Sequence, residues 1–519
     1  MTQLIASISL VVFVVIMLLV GVYSTKKAGT VEGFLLGGRN IGPWISAFAY
    51  GTTYFSAVIF IGYAGMFGWN IGLSSMWIGV GNALIGCLLA WVLLAKRTRR
   101  MTRTLEARTM PEFFAARYNS RRIKIYAAAI IFLFLVPYAA GVYKGLGTMF
   151  SAIFVGADPV TCMLIVAILT GIYLVLGGYV ATATNDFIQG IIMIFGLVAM
   201  VLILLSRPEV GGLGAAIEKL SAIDPQLVDP SGGKNTSFLI TNICLTSFGV
   251  WGLPQMVHKY YAIKDESSIK IATIVSTLFA TLIGCGAYFT GSLSRLFIEA
   301  DANGMPNVPG GFDGVIPGLL MKALTENVFS TVILSIILLL LLSASMSTLS
   351  SIVLSSSSAV SIDLVKEVRP EIKPKNQVIL MRLLCLVFIA FSFIFATANI
   401  SFIVNLMSFS WGVVAGSFIG PFLWGLYSKK VTQAGAWAGM LSGIVVVGGC
   451  ILYFTATAGF AAAKSMSPIF GVSAMATSVI IVPIVSALTK KFSDEHNQKV
   501  FRNSEEKIIE AQQQVLSEA

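Results

Sequence analysis

Stretches of about 20 consecutive apolar residues recur along nearly the whole chain, and each is long enough to cross the roughly 30 Å hydrocarbon core of a membrane as a helix. With 56% hydrophobic and 11% charged residues over 519 positions, the chain cannot be an ordinary water-soluble globule. We predict an all-α polytopic membrane protein with about 13 transmembrane helices and no sizeable soluble domain. The predicted helices cover residues 4–23, 41–69, 71–95, 124–152, 157–177, 183–206, 235–257, 270–299, 326–362, 378–398, 400–427, 431–456 and 468–489.

The net charge of +11 does not indicate a nucleic-acid partner, because the basic residues cluster in alternate loops. Ten lie between the third and fourth predicted helices: Lys96, Arg97, Arg99, Arg100, Arg103, Arg108, Arg117, Arg121, Arg122 and Lys124. Lys259, Lys264 and Lys270 are assigned to the loop after the seventh helix. The positive-inside rule then predicts a multi-pass protein of the cell membrane with its N-terminus outside and its C-terminus in the cytoplasm.

Cysteine and histidine residues give no sign of a metal centre or an enzyme. All six cysteines lie within apolar segments and are predicted to be buried thiols: Cys87, Cys162, Cys244, Cys285, Cys385 and Cys450. The two histidines, His258 and His496, follow apolar segments and are predicted to be solvated loop residues. The chain therefore lacks the parts of a zinc site or of a histidine-based catalytic centre.

Two helices carry glycines among polar residues at membrane depth. Gly51-Thr52-Thr53-Tyr54-Phe55-Ser56 interrupts the second predicted helix, and Phe248 to Gln255, with Gly249 and Gly252, interrupts the seventh. Interrupted helices at corresponding places in two halves of a membrane protein are typical of inverted-repeat transporters, whose sites lie at the midplane. The alternative is close helix packing through small residues.

Hydroxyl groups line one face of the ninth predicted helix. Ala344, Ser347, Thr348 and Ser351 stand at i, i+3, i+4 and i+7 and so share a face. Hydroxyls together with carbonyls freed at a helix bend can bind a sodium ion, although serine-rich faces also occur where helices pack closely. Asp186 is placed at the start of the sixth helix, where it suits an ion site or a helix N-cap.

These motifs resemble those of the sodium/solute symporter family, up to about residue 490. The likeness rests on Leu36-Gly37-Gly38-Arg39, on Gly177-Gly178-Tyr179 with Thr184-Asn185-Asp186 and Gln189-Gly190, and on Met346 to Ser350. It implies a LeuT-like five-plus-five inverted repeat. The implied divisions are an extra helix and loop (1–40), a first repeat (41–206), an extracellular loop (207–234), a second repeat (235–427), two further helices (428–489) and a cytoplasmic tail (490–519).

The resemblance also implies ligands for the coupling ion, sodium. The common sodium site of the family corresponds here to the carbonyls of Thr52, Phe55 and Ala344 and the hydroxyls of Ser347 and Thr348. Some members bind a second sodium ion, and the matching residues here are Asp186, Ser347, Ser350 and Ser351. The function implied is sodium-coupled symport of a small organic solute into the cytoplasm by alternating access, and not an enzymatic reaction. The alternatives are a proton-coupled or facilitative carrier on the same fold and a nutrient sensor that does not transport.

The solute is less well indicated. Parts of the chain resemble bacterial pantothenate and proline symporters, but Val58, Thr246 and Val250 depart from the proline pattern, and apolar Val58, Ile59 and Phe60 argue against a sugar. We expect a small carboxylate, such as pantothenate or a monocarboxylate, or an amino acid. The candidate substrate residues, each of which also fits ordinary helix packing, are Tyr54, Ser56, Tyr143, Thr246, Trp251, Gln255 and Ser408.

Lys144 lies well inside the otherwise apolar fourth helix, where an ammonium group needs a partner. Three roles fit it: binding a substrate carboxylate, standing in for a cation, and reaching the outer surface as a structural anchor. The expected partners of the whole chain are a small solute, sodium ions and the lipid bilayer, and the sequence does not indicate an oligomeric state.

Overall fold

The computed structural model describes residues 2–154, 157–324, 328–398 and 401–502, and all regular secondary structure within these ranges is helical. The helices of the first half are α1 (Thr2–Ser24), α2 (Val31–Leu36), α3 (Pro43–Tyr54), α4 (Ala64–Ile71), α5 (Met76–Gly81), α6 (Lys96–Thr104), α7 (Met110–Tyr118), α8 (Arg121–Ile153), α9 (Pro159–Leu205), α10 (Leu213–Ile223), α11 (Thr236–Gly249) and α12 (Pro254–Ala262). Those of the second half are α13 (Glu266–Ser292), α14 (Val315–Leu324), α15 (Val328–Ser358), α16 (Lys366–Val368), α17 (Pro374–Thr397), α18 (Ile403–Tyr427), α19 (Gln433–Ala458), α20 (Phe460–Ser465), α21 (Ser467–Ala487) and α22 (Asp494–Phe501).

Eleven helical stretches of the described residues are long and apolar enough to span a membrane. The predicted count of 13 is therefore not confirmed. Two of the stretches, 58–104 and 159–205, run through a glycine with positive φ, and each covers parts of two predicted helices. Gly178 in α9 has φ 54° and ψ −146°, a conformation open to glycine but strained for other residues. The chain turns there between the predicted fifth and sixth helices.

The second and seventh predicted helices are both interrupted near their middles. α3 ends at Tyr54, Phe55 has extended backbone angles (φ −105°, ψ 97°), and a π-helical segment starts at Val58. α11 ends at Gly249 and α12 starts at Pro254, which lacks the backbone N–H needed to continue the first helix. Such breaks free backbone carbonyls at membrane depth, where each needs another partner.

α15 occupies the centre of the bundle and packs against α1, α3, α8, α9 and α17. Its polar side chains from Ser343 to Ser351 are buried, as expected for a helix that faces other helices and not lipid. α18, α19 and α21 form a separate group of neighbours, which contacts the rest of the bundle through α8 and α11.

One end of the molecule, here called the basic end, carries the short helices α2, α6, α7 and α22. Arg39 donates a hydrogen bond to the Ala107 carbonyl at 2.7 Å, and Arg99 donates to the Lys264 carbonyl at 2.6 Å. The Thr104 hydroxyl donates to the Arg502 carbonyl at 3.0 Å. The basic loops and the start of the polar tail thus lie together.

Several local predictions need correction. Lys259 and His258 are not loop residues, because α12 continues to Ala262 and buries both side chains. The residues after Val257 are polar and aromatic, so the apolar pattern did not predict the last turn of α12. His496 is placed in α22, with its Nε2 3.0 Å from the Arg117 carbonyl. The cysteines are unpaired as predicted; Cys87, Cys162 and Cys385 are buried, whereas Cys244, Cys285 and Cys450 are partly exposed.

Candidate functional site

The broken end of α3 faces the hydroxyl-bearing face of α15. The Ser347 hydroxyl donates to the Thr52 carbonyl at 2.9 Å, and the Thr348 hydroxyl lies 3.3 Å from the same carbonyl and 3.1 Å from that of Thr53. In an unbroken helix these carbonyls would accept backbone N–H groups one turn further along. Because α3 ends at Tyr54, side chains of α15 satisfy them instead.

Both hydroxyls also reach the carbonyl of Ala344, each at 3.1 Å. Four of the five predicted sodium ligands, Thr52, Ala344, Ser347 and Thr348, therefore meet in one fully buried cluster of oxygen atoms. The fifth, Phe55, directly follows the last residue of α3, and it is also fully buried. Uncharged oxygen donors of this kind suit a hard monovalent cation such as sodium, whose charge they solvate without a carboxylate.

A small cavity lies beside this cluster. Its free volume of ≈ 20 Å³ slightly exceeds the ~10–15 Å³ that one water molecule requires, so in this conformation it has room for a water molecule but not for an organic solute. The lining combines aromatic, aliphatic and uncharged polar side chains: Tyr54, Phe55, Ser56, Val58, Ile59, Tyr63, Asn82, Tyr138, Thr246, Tyr288, Met407 and Trp411.

Three of the predicted substrate residues, Tyr54, Ser56 and Thr246, line this cavity. The Tyr54 hydroxyl donates to the Thr246 carbonyl at 2.7 Å, which joins α3 to α11 across the cavity wall. The Thr246 hydroxyl donates to the side-chain oxygen of Asn82 at 2.7 Å. The sequence analysis did not predict that Asn82 lines the cavity. Its position as a lone amide in an apolar helix could have indicated this.

The other predicted substrate residues lie outside the cavity. The Trp251 indole donates to the Ile85 carbonyl at 3.1 Å, and the Ser408 hydroxyl donates to the Val404 carbonyl of its own helix. Gln255 and Tyr143 are buried away from the cavity lining, each with an oxygen that has no partner among the described residues. The structure does not bring these four residues to the sodium-site cluster.

Lys144 forms an ion pair at the end of α8 opposite the basic end. Its ammonium lies 2.9 Å from the Asp313 carboxylate and donates to the Ser401 carbonyl at 2.8 Å. Burial raises the pKa of the Asp313 carboxyl above its usual range, and the charge of Lys144 opposes this rise. Of the three roles considered for Lys144, this geometry favours the structural anchor.

Asp186 lies inside α9, about two turns beyond the Gly178 break, so the N-cap interpretation is wrong. The residue is fully buried, and the ammonium of Lys259 lies 3.7 Å from its carboxylate. Lys259 also donates to the Ser351 hydroxyl at 3.0 Å. Ser347 and Ser350, the other residues of the predicted second sodium site, direct their hydroxyls to the carbonyls of Thr52 and Ser347.

Residues 34–443 match the model of the sodium:solute symporter family. The chain belongs to this family. This sodium:solute symporter is 28% identical over 489 residues to the osmoregulated proline transporter OpuE of Bacillus subtilis (strain 168), covering 93% of this chain and 95% of that protein. It is 30% identical over 498 residues to a sodium/proline symporter of Staphylococcus aureus (strain JH9), covering 93% of each.

A solved Na⁺-coupled sialic acid symporter in a substrate-bound, outward-open state has the same fold. The TM-score is 0.74 at 19% identity, over 94% of this chain and 98% of that chain. The likeness shows the LeuT-like architecture that the motifs implied. The symporter described here is therefore a multi-pass membrane transporter and not an enzyme, and sodium is its coupling ion.

Proposed function

We propose that this symporter imports a small carboxylate-bearing solute, an amino acid or a monocarboxylate, together with sodium bound between α3 and α15. The observation that carries the proposal is the cavity of Tyr54, Ser56, Asn82, Thr246 and Trp411 directly beside the oxygen cluster of Thr52 and Thr348. Coupling requires that sodium raise the affinity for the solute, and the solute then raises the affinity for sodium by the same factor.

The cavity chemistry supports a solute of this class. Its lining has hydroxyl, amide and indole groups but no lysine or arginine to neutralise a carboxylate. The sodium ion at the adjacent cluster supplies a positive charge at the same depth. Bulky or multiply charged solutes fit poorly, because several buried aromatic rings surround the space. The proline transport named for both bacterial relatives agrees with a small carboxylate, and proline is the first solute to test.

The orientation of the protein in the membrane is inferred from the distribution of its basic residues. The basic end, with Arg39, Arg99 and Arg103, is assigned to the cytoplasm by the positive-inside rule, so the N-terminus lies outside. External sodium binding at the oxygen cluster stabilises the outward-facing state, in which the adjacent cavity widens to admit the solute. The protein then closes around both and opens to the cytoplasm. Each step is a shift between states by differential binding.

Uptake by purified protein in proteoliposomes tests the proposal. Labelled proline, alanine, pantothenate and lactate are offered separately under an inward sodium gradient, and then with sodium replaced by potassium. We expect accumulation of at least one of these solutes with sodium alone. Accumulation driven by a proton gradient in potassium would favour a proton-coupled carrier. Equilibration without accumulation would favour a facilitative carrier, and binding without uptake a sensor.

A further inference from the structure

Lys259 occupies the position at which the residue pattern places a second sodium ion. Its ammonium lies between the Asp186 carboxylate of α9, at 3.7 Å, and the Ser351 hydroxyl of α15, at 3.0 Å. The Tyr179 ring is the third neighbour, with its centroid 5.1 Å from the ammonium. We propose that Lys259 is a built-in cation that takes the place of the second ion, so that this symporter binds one sodium ion per transport cycle.

The burial of the group supports this assignment. Lys259 and Asp186 have side-chain exposures of 1% each, and among the described residues Lys259 forms its ion pair with Asp186. A buried carboxylate requires a nearby positive charge, and a buried ammonium requires a negative one. The pair meets the charge requirement of both groups and has no net charge, although neither oxygen of Asp186 accepts a hydrogen bond among the described residues.

A second sodium ion would disturb this balance. With Lys259 in place, the added ion would leave one uncompensated positive charge in a region closed to water, which is strongly unfavourable. The ammonium also supplies a donor to the Ser351 hydroxyl, whose oxygen the sodium ion would need as a ligand. Lysine and sodium therefore compete for the same two groups.

The lysine is also connected to the first sodium site. The Ser351 hydroxyl lies 2.9 Å from that of Thr53, and the Thr53 carbonyl accepts from Thr348. Ser351 stands one helical turn beyond Thr348, towards the basic end of α15. The fixed charge of Lys259 is thus a near neighbour of the sodium ion in the first site.

Equilibrium binding of ²²Na⁺ to purified full-length protein tests the inference, which rests on the proposed sodium site at Thr348 but needs no solute. The wild type should bind one ion per chain. Lys259→Met removes the charge and keeps the stem, so it should bind two. Adding Asp186→Asn to that variant should return the number to one. Lys264→Met, which removes an exposed lysine close by, is the matched control and should bind one.

Two bound ions in the wild type would overturn the inference, as would one ion in a folded Lys259→Met protein. If Lys259→Met alone does not fold, sodium titrations of the wild type and of Thr348→Ala test the inference. A single sodium affinity that weakens at least about tenfold in Thr348→Ala supports one site. A bound ion whose affinity this substitution leaves unchanged refutes it. A wild type that binds no sodium at all contradicts the proposed sodium site itself, which is a distinguishable result.

Discussion

The Ser347 hydroxyl on α15 donates a hydrogen bond to the Thr52 carbonyl on α3 over 2.9 Å, across the point at which α3 ends. Two helices far apart in sequence thus share a buried polar contact at the depth expected for a sodium ion. The same contact holds the wall of the solute cavity, because Tyr54, Phe55 and Ser56 follow directly. The proposed ion and solute sites therefore share one structural element.

Thr348→Ala should raise the sodium concentration for half-maximal uptake at least about tenfold, the effect of roughly 1.4 kcal/mol. The change removes a hydroxyl that lies 3.1 Å from both the Ala344 and Thr53 carbonyls. Sodium titration of uptake in proteoliposomes measures it. Ser345→Ala is the control, because Ser345 is equally buried on α15 but donates only within its helix, to Leu341. An unchanged sodium dependence in Thr348→Ala would remove this residue from the site.

Thr246→Val should raise the solute KM about tenfold and leave the half-saturating sodium concentration unchanged. The substitution keeps the shape of the side chain but removes a hydroxyl from the cavity wall, and a buried solute group that loses its partner there costs about 1 to 3 kcal/mol. The Asn82 side-chain oxygen keeps the Ser247 hydroxyl as a donor, at 3.2 Å. Solute titrations at saturating sodium measure the effect. Thr290→Val, a buried threonine bonded within its own helix, should behave as wild type. A parallel loss of sodium affinity would argue against separate sites.

Lys144→Met should lower stability without changing the solute KM. The loss of the ammonium leaves the buried Asp313 carboxylate without its ion-pair partner, at a cost of about 1 to 3 kcal/mol. Asp313→Asn in the same protein should restore much of this stability. Thermal unfolding and uptake measure the two effects, and a raised KM in a stable Lys144→Met protein would instead favour a substrate anchor.

The stability deficit of Lys144→Met should shrink as the pH is lowered. Burial already raises the pKa of Asp313, and loss of the lysine charge raises it further. An acid whose pKa is higher in the folded protein binds protons more readily there than when unfolded, so a fall in pH favours the folded variant. Thermal unfolding of variant and wild type across the acidic range measures the difference. A deficit independent of pH would place the damage elsewhere.

Gly178→Ala should destabilise the protein by about 1 to 3 kcal/mol, because alanine is strained at its positive φ. A Cβ there would also lie 2.6 Å from the Phe34 carbonyl oxygen. Gly214→Ala is the control, since an added Cβ in α10 meets no atom within 4 Å. Thermal unfolding of both variants decides; equal behaviour would mean that the turn tolerates a side chain.

Predictions from the sequence were most accurate where the hydropathy of a segment and the positions of its polar residues indicate the same structure. Long apolar runs located most membrane helices, and the oxygen-bearing face of Ser347 and Thr348 stood out because hydroxyls are unusual there. The buried position of Lys259 was not predicted, because its neighbours Tyr260 and Tyr261 are not typical of a membrane helix. A basic residue after an apolar run is instead typical of a loop. Its pairing with Asp186 joins α12 to α9, a contact that helical periodicity within either segment does not reveal.

The cavity was predicted only in part for the same reason. Tyr54 and Ser56 adjoin the recognisable break in α3, whereas Asn82, Tyr138 and Trp411 come from other helices, at positions that no sequence motif marked. Their convergence depends on how the helices cross. For Lys144, depth in the helix left three roles open, and the partner Asp313, which favours the structural anchor, lies in a distant loop.

The most direct test of the account is whether sodium controls solute affinity through the Thr52–Thr348 cluster. Binding of labelled proline, or of the solute that uptake identifies, is titrated in sodium and in potassium for the wild type and for Thr348→Ala. The account predicts that sodium tightens solute binding at least about tenfold in the wild type, a coupling of roughly 1.4 kcal/mol, and much less in the variant. Equal solute affinity in sodium and potassium for the wild type would contradict it.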